Sequence, residues 1–186
     1  YPPVDTDAFK LKEKKEDFYL AASRLVSYKK IDLIVKSFVK NKKKLVVIGD
    51  GPEMQNIMNL SKSNISVLGY QDNQTLIDHM QRAKAFVFAA EEDFGIIPVE
   101  AQACGTPVIC LSKGGTKETV IDGLTGIHFD NQTEEDVINA INKFEANYTN
   151  FDPVVIRNHA LQFGSERFEK EIKEFVEEKY NNFIKQ

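Results

Sequence analysis

The chain has no tryptophan, only two cysteines and only three histidines in 186 residues. His79, His128 and His159 are scattered and lack metal-ligand spacing, so they read as structural or surface residues. Cys104 and Cys110 flank a Gly-Thr-Pro turn, one near a helix end and one at a strand end. They read as buried free thiols, which fits a reducing compartment. No apolar run approaches the roughly 20 residues of a membrane span. The longest candidate, Ala83–Ala90, is strand-sized and contains Lys84. An excess of one charge is also missing. The net charge of −4 argues against general nucleic-acid binding. Lys10–Lys15 and Lys40–Lys44 are short or interrupted basic patches, as solvated surface is. There is no internal repeat, low-complexity segment or signal-peptide pattern.

What is present is globular. Apolar content of 42% and charge of 28% suit one domain with a real core. The opening Tyr1-Pro-Pro-Val-Asp5 reads as the middle of a longer protein.

Strand and helix patterns alternate. Phe18–Ala22, Leu45–Ile48, Ile65–Leu68, Ala85–Phe88, Val108–Cys110 and Gly126–Phe129 read as short buried strands. Helices are expected through Ile31, Ile34, Val35 and Phe38, through Met54–Leu60, around Leu76–Met80, through Val99–Ala103, and briefly up to Val120. Pro52 is expected in the first turn of the Met54 helix. Thr133 and Asp136 form an expected capping box ahead of Val137, Ile138, Ile141 and Phe144. Asp152-Pro153 starts another helix, and a last one covers Ser165–Gln186. Repeated βα units imply an α/β fold: a Rossmann-like parallel sheet with helices on both faces and a helical C-terminal tail. Ligands in such sheets bind beyond the carboxyl ends of the strands, where the Gly-rich turns of this chain fall.

The most informative stretch is Glu92-Asp-Phe-Gly-Ile-Ile-Pro-Val-Glu100. Its turn leaves backbone N–H groups free at a helix start, and such groups attract phosphate. The two flanking acids suit sugar hydroxyls, which donate to a carboxylate. Gly49-Asp50-Gly51-Pro52 invites a dinucleotide reading, but lacks a third Gly near Met54 and an acid about 20 residues on.

The chain resembles the C-terminal, donor-binding half of GT-B glycosyltransferases, specifically retaining glycosyltransferase family 4. The resemblance covers nearly the whole chain. It rests on Glu92 and Glu100 as a Glu-x7-Glu pair, with Glu91 one position out of step. It rests also on Ser23-Arg24-Leu25 with Lys29, on Gly49-Asp50-Gly51-Pro52, on Gly105-Thr106-Pro107-Val108-Ile109, and on Gly114-Gly115 with Glu118 and Gly126. Lys30 departs from the pattern, standing where the family often has Gly.

The resemblance implies that Arg24 and Lys29 grip the donor diphosphate and that Glu92 binds hydroxyls of the transferred sugar. Fixed cations there stabilise the departing nucleoside diphosphate. Glu100 would take the ribose hydroxyls. Phe94, Gly95, Ile96 and Ile97 would present backbone N–H groups. The turn of Gly49 would close around the donor pocket or serve as a turn alone, and Gly69, Tyr70 and Asp72 would border the nucleobase, with Asp72 favouring guanine or else capping the next helix. GDP-mannose is the favoured donor, with no cofactor and no metal. No Asp-x-Asp triplet of the kind that holds a divalent cation with a diphosphate is identified. The acceptor, a glycan or a lipid-linked saccharide, would meet a missing N-terminal domain, on which the last helix would pack. Phe168, Phe175 or Phe183 is therefore expected to be exposed. The resemblance further implies a cytoplasmic protein, with possible peripheral association at the inner membrane. Two alternatives stand beside it: a nucleotide-sugar-binding module without transfer, and a dinucleotide-dependent oxidoreductase domain.

Overall fold

The computed structural model describes residues 1–184. Six strands form one parallel sheet: β1 (Tyr19–Ala22), β2 (Leu45–Ile48), β3 (Ile65–Val67), β4 (Ala85–Phe88), β5 (Val108–Leu111) and β6 (Gly126–Phe129). Between them lie α1 (Ile31–Asn41), α2 (Met54–Leu60), α3 (Asn73–Arg82), α4 (Ile96–Ala103) and the single-turn α5 (Thr116–Thr119). After β6 come α6 (Glu134–Ala146), α7 (Pro153–Leu161) and α8 (Ser165–Ile184).

Alternating side chains split the core in two, because successive residues of a strand face opposite ways. Tyr19, Ala21, Leu45, Val47, Val87 and Ile109 meet α1 and α6 on one face. Leu20, Ala22, Ile48, Phe86, Phe88 and Cys110 meet Met80 of α3, Val99 of α4 and Ala160 of α7 on the other. Both faces are covered, so the strands read as continuous apolar runs. Cys104 and Cys110 are buried free thiols, and burial pushes both upward in pKa.

The strand order is β3-β2-β1-β4-β5-β6. The chain winds outward from β1 to β3, then returns to the middle and lays β4 against β1. Tyr19 pairs with Ala85 and Leu20 with Phe86, so the two strands end side by side. At this switch point neighbouring connections leave to opposite faces and open a crevice. The loops after β1 and β4 carry Arg24–Lys29 and Glu91–Gly95.

The opposite end of the sheet is tied by Glu145. Its carboxylate accepts hydrogen bonds from the Tyr19 hydroxyl and from Lys84 Nζ at 2.8 Å, and pairs with Lys43 Nζ at 3.0 Å. Burial alone would raise this carboxyl; the three donors outweigh it and hold it at about 2.

Some boundaries differ from the sequence reading. β3 stops at Val67 and leaves Leu68 exposed, because its outer edge has no further strand. Pro52 lies in the turn ahead of α2 rather than in its first helical turn. Thr133 caps α6 through the Asp136 N–H at 3.1 Å, but the Asp136 carboxylate accepts from Asn131 N, so the box is not reciprocal. The expected final helix reaches Ile184; residues 185 and 186 lie outside the described residues.

No residue of α8 is buried. Phe175 is 55% exposed and Phe183 75%, while Phe168 is half-buried beside the end of α7. Ile172 and Val176 continue the exposed apolar stripe. Among the described residues no helix is long and apolar enough to cross a membrane.

Candidate functional site

A cleft of about 820 Å³ opens at the β1–β4 switch point. One wall carries Arg24 and Lys29; the other carries Glu92, the Phe94–Ile97 turn and Glu100. The two cations and the acidic turn, separated by more than 60 residues of chain, therefore share one site. Lys29 Nζ donates directly to Glu92 Oε1. Burial draws the Lys29 ammonium below its ordinary pKa. Arg24 is exposed and, among the described residues, makes no ion pair.

The acidic turn is backed by the loop after β5, the strand next to β4. Gly115 N donates to Glu92 O at 2.7 Å. A Cβ on Gly115 would stand 2.3 Å from Phe94 Cα, so only glycine lets the β5–α5 loop back this closely onto the turn. Gly95 caps α4 at φ +80°, a left-handed conformation suited to glycine. Among the described residues the backbone N–H groups of Phe94, Gly95, Ile96 and Ile97 donate to no protein acceptor. They head α4, whose dipole adds partial positive charge at that end. The cleft thus holds unspent donors on one wall and a free guanidinium on the other, a setting for a diphosphate between them.

Glu100 lies in the first turns of α4 and lines the same cleft. Burial, with a smaller push from Asp5, raises its carboxyl to about 7. At neutral pH it is therefore divided between acid and carboxylate.

A smaller hollow of about 430 Å³ continues from the cleft, sharing Ser23, Arg24 and Ile97 with it. Gly49 and Tyr70 border this hollow, with Ile48 and Leu76 supplying apolar surface. Gly69 does not line it; its carbonyl accepts from Gly49 N at 2.8 Å and ties the ends of β2 and β3. Asp72 does not line it either. Asp72 Oδ1 accepts from Thr75 N at 2.8 Å and caps α3, and that hydrogen bond lowers its pKa. Gln71 and Asn73, on either side, border the hollow instead. The residue types around the start of α3 carry no sign of which one faces a pocket, so sequence reasoning missed them. It also missed Ser23, Tyr28 and Asp93 as cleft residues.

Lys30 adopts φ 55°, ψ 32° as the N-cap of α1. A non-glycine residue pays roughly 1–2 kcal/mol there, which explains why glycine is the common choice at such a turn.

The sequence does contain one Asp-x-Asp spacing, Asp5-Thr6-Asp7. It lines a separate hollow with Gly164 and Arg167, and Asp5 Oδ1 accepts from Ala8 N at 3.1 Å. The histidines lie apart: His79 on α3, His128 on β6 and His159 on α7.

A doubly wound parallel sheet with a donor-rich cleft at its switch point is the architecture of nucleotide-binding α/β domains. Residues 4–161 match the family described as Glycosyl transferases group 1, and the chain belongs to that family. Among curated proteins it is 31% identical over 122 residues to N-acetyl-alpha-D-glucosaminyl L-malate synthase of Bacillus anthracis, covering 61% of this chain and 32% of that one. It is 26% identical over 174 residues to GDP-mannose-dependent alpha-(1-6)-phosphatidylinositol monomannoside mannosyltransferase of Mycolicibacterium smegmatis, covering 75% of this chain and 44% of that one. The chain thus spans less than half the length of these relatives. Among solved structures, sucrose-phosphate synthase from Thermosynechococcus elongatus superposes with TM-score 0.84 at 20% identity, covering 97% of this chain and 52% of that one. Anabaena HepE in complex with UDP-glucose superposes with TM-score 0.80 at 20% identity, over 95% and 56%. The fold is that of one half of a GT-B glycosyltransferase.

Proposed function

We propose that this chain is the donor-binding domain of a retaining glycosyltransferase that moves a hexosyl unit from a nucleoside diphosphate sugar to a glycan or lipid-linked acceptor. One observation carries the reading: Arg24, Lys29 and the unspent N–H groups of Phe94–Ile97 line one cleft together with Glu92 and Glu100. The diphosphate lies against the cations and the head of α4, Glu92 takes hydroxyls of the sugar, and Glu100 takes the ribose. The base occupies the hollow beside Tyr70.

In the transfer step the bond between the sugar C1 and the diphosphate oxygen breaks, and that oxygen leaves with the electron pair. The acceptor oxygen bonds to C1 on the same face, and its proton passes to the departing phosphate. Negative charge grows on the leaving group, where fixed cations and backbone donors stabilise the transition state. The acceptor is held mainly by sequence outside this chain, and the exposed stripe of Ile172, Phe175 and Val176 is the surface on which that part packs.

GDP-mannose is the proposed donor. Support comes from the M. smegmatis relative, whose name includes GDP-mannose dependence, whereas the HepE structure holds UDP-glucose. Thermal shift of the full-length protein with GDP, UDP, ADP and NAD separates these choices, because a ligand of the native state raises Tm by mass action. GDP is expected to give the largest shift. A larger shift with UDP overturns the base assignment, and a shift with NAD alone supports the oxidoreductase reading. Binding without sugar transfer would mark a binding-only module.

The raised Glu100 carboxyl gives a pH signature. Ribose hydroxyls donate to the ionised form, so donor binding expels a proton. The sugar-capped diphosphate does not itself titrate near neutrality. Affinity for the donor is expected to rise roughly tenfold from pH 6 to pH 8, as Glu100 ionises through about 7. Calorimetry across that range reads it directly, and Glu100→Gln should flatten the slope. By the same linkage, the unliganded fold loses stability as pH climbs through this window, since its native state holds the proton more tightly than the unfolded chain.

A further inference from the structure

The donor cleft does not end at Glu92. A hollow of about 310 Å³ adjoins it, bounded by Ser27, Tyr28, Lys30, Glu91 and Gln132. Tyr28 and Glu91 line both spaces, so the surface is continuous. The base hollow joins the cleft through Ser23, Arg24 and Ile97; this one joins it through Tyr28 and Glu91. The new hollow thus extends the cleft by a different set of residues from those leading to the base.

The geometry points to a saccharide subsite in this hollow, taking the neutral glycan end of the acceptor, with Lys30 as a specificity-determining residue. The inference rests on the donor reading above. Its first support is Lys30 itself. The backbone there favours glycine, and the Lys30 side chain makes no capping hydrogen bond. A cation at a helix N-terminus also opposes the macrodipole. The lysine carbonyl accepts from Ile34 N at 3.2 Å, a bond glycine would keep, so the Lys30 side chain adds nothing to α1 and its ammonium is left for a group outside the helix.

The second support is the chemistry around it. Tyr28 is 57% exposed and offers an aromatic face, with the Lys29 ammonium 5.2 Å from the ring centre. The Lys30 ammonium, the Glu91 carboxylate and the Tyr28 hydroxyl take no protein partner among the described residues. Gln132 Nε2 donates to Ala89 O at 2.7 Å, which fixes the amide and leaves Oε1 as an acceptor. Sugar hydroxyls both donate and accept, so one saccharide can use the carboxylate, the amide oxygen and the ammonium together. An aromatic ring suits the C–H face of a pyranose. Glu91 beside Lys30 disfavours a phosphorylated group, and the polar lining disfavours an acyl chain.

The test uses the full-length enzyme carrying Lys30→Gly, with GDP-mannose as donor and disaccharides ending in mannose, galactose, glucose or N-acetylglucosamine as acceptors. The glycine suits the left-handed turn, so Tm should hold or rise. Nucleoside diphosphate Kd and donor KM should stay within about twofold, while kcat/KM for the acceptor falls at least tenfold. Lys30→Arg should recover most of the loss. Unchanged acceptor kcat/KM overturns the subsite. So does an equal loss in nucleotide affinity, which would assign Lys30 to the diphosphate. A wild-type enzyme that binds GDP-mannose yet transfers to none of these sugars overturns the saccharide assignment alone. Absence of nucleotide binding overturns the donor reading and the subsite with it.

Discussion

Arg24→Ala in the full-length protein is expected to weaken nucleoside diphosphate binding by roughly 10- to 100-fold. A charge-assisted hydrogen bond is worth about 1.5–3 kcal/mol, and Arg24 stands where the cleft and the base hollow meet. The same change should reduce transfer at least as much, because the leaving diphosphate carries more charge in the transition state than in the bound donor. Thermal stability in the absence of ligand should hold, since the guanidinium is exposed and pairs with no carboxylate among the described residues. Arg24→Lys should recover only part of the loss, because a point charge replaces a planar fork. Calorimetry with the diphosphate checks the first number. Unchanged affinity in a folded variant would remove Arg24 from the site.

Glu92→Gln is expected to move binding and turnover in opposite directions. In the unliganded fold Glu92 holds Lys29, so a diphosphate must compete with a carboxylate for the same ammonium. Neutralising Glu92 removes that competitor and also a negative charge facing the phosphates. Affinity for the free nucleoside diphosphate should rise about two- to fivefold, within the range of a partly exposed ion pair. Sugar transfer should fall roughly 100-fold, because the group that orients the sugar hydroxyls is gone. Lys29→Ala should weaken both. A titration and a steady-state assay on the same preparations separate these outcomes. Parallel loss of binding and turnover in Glu92→Gln would mean that the carboxylate positions Lys29 for the nucleotide instead of competing with it.

Much of the fold is legible in sequence. Short runs such as Leu45–Ile48 and Ala85–Phe88 are wholly or nearly wholly apolar because both faces of a parallel sheet are covered, and each is followed by a helix-period stripe. Asp152 ahead of Pro153 marks the start of α7 through its own capping bonds, a contact between near neighbours. The acidic turn is legible for the same reason: Gly95 and the helix after it are local chemistry. Asp72 shows the limit of such reading. Its residue type suits both a base edge and a helix cap, and the nearby Thr75 N–H takes its Oδ1. Gln71 and Asn73 face the hollow because of how the β3–α3 loop turns, which no residue pattern announces.

The parallel α/β class, the strand-end turns and the residue types suited to phosphate and sugar are written along the chain, because these depend on periodicity and on contacts within a few residues. That β4 lies against β1, and so that Lys29 meets Glu92 across 63 positions of chain, emerges with folding. Strand order follows from how helices cover both faces of the sheet as a whole. A site at the seam between two strands exists only once that packing is complete.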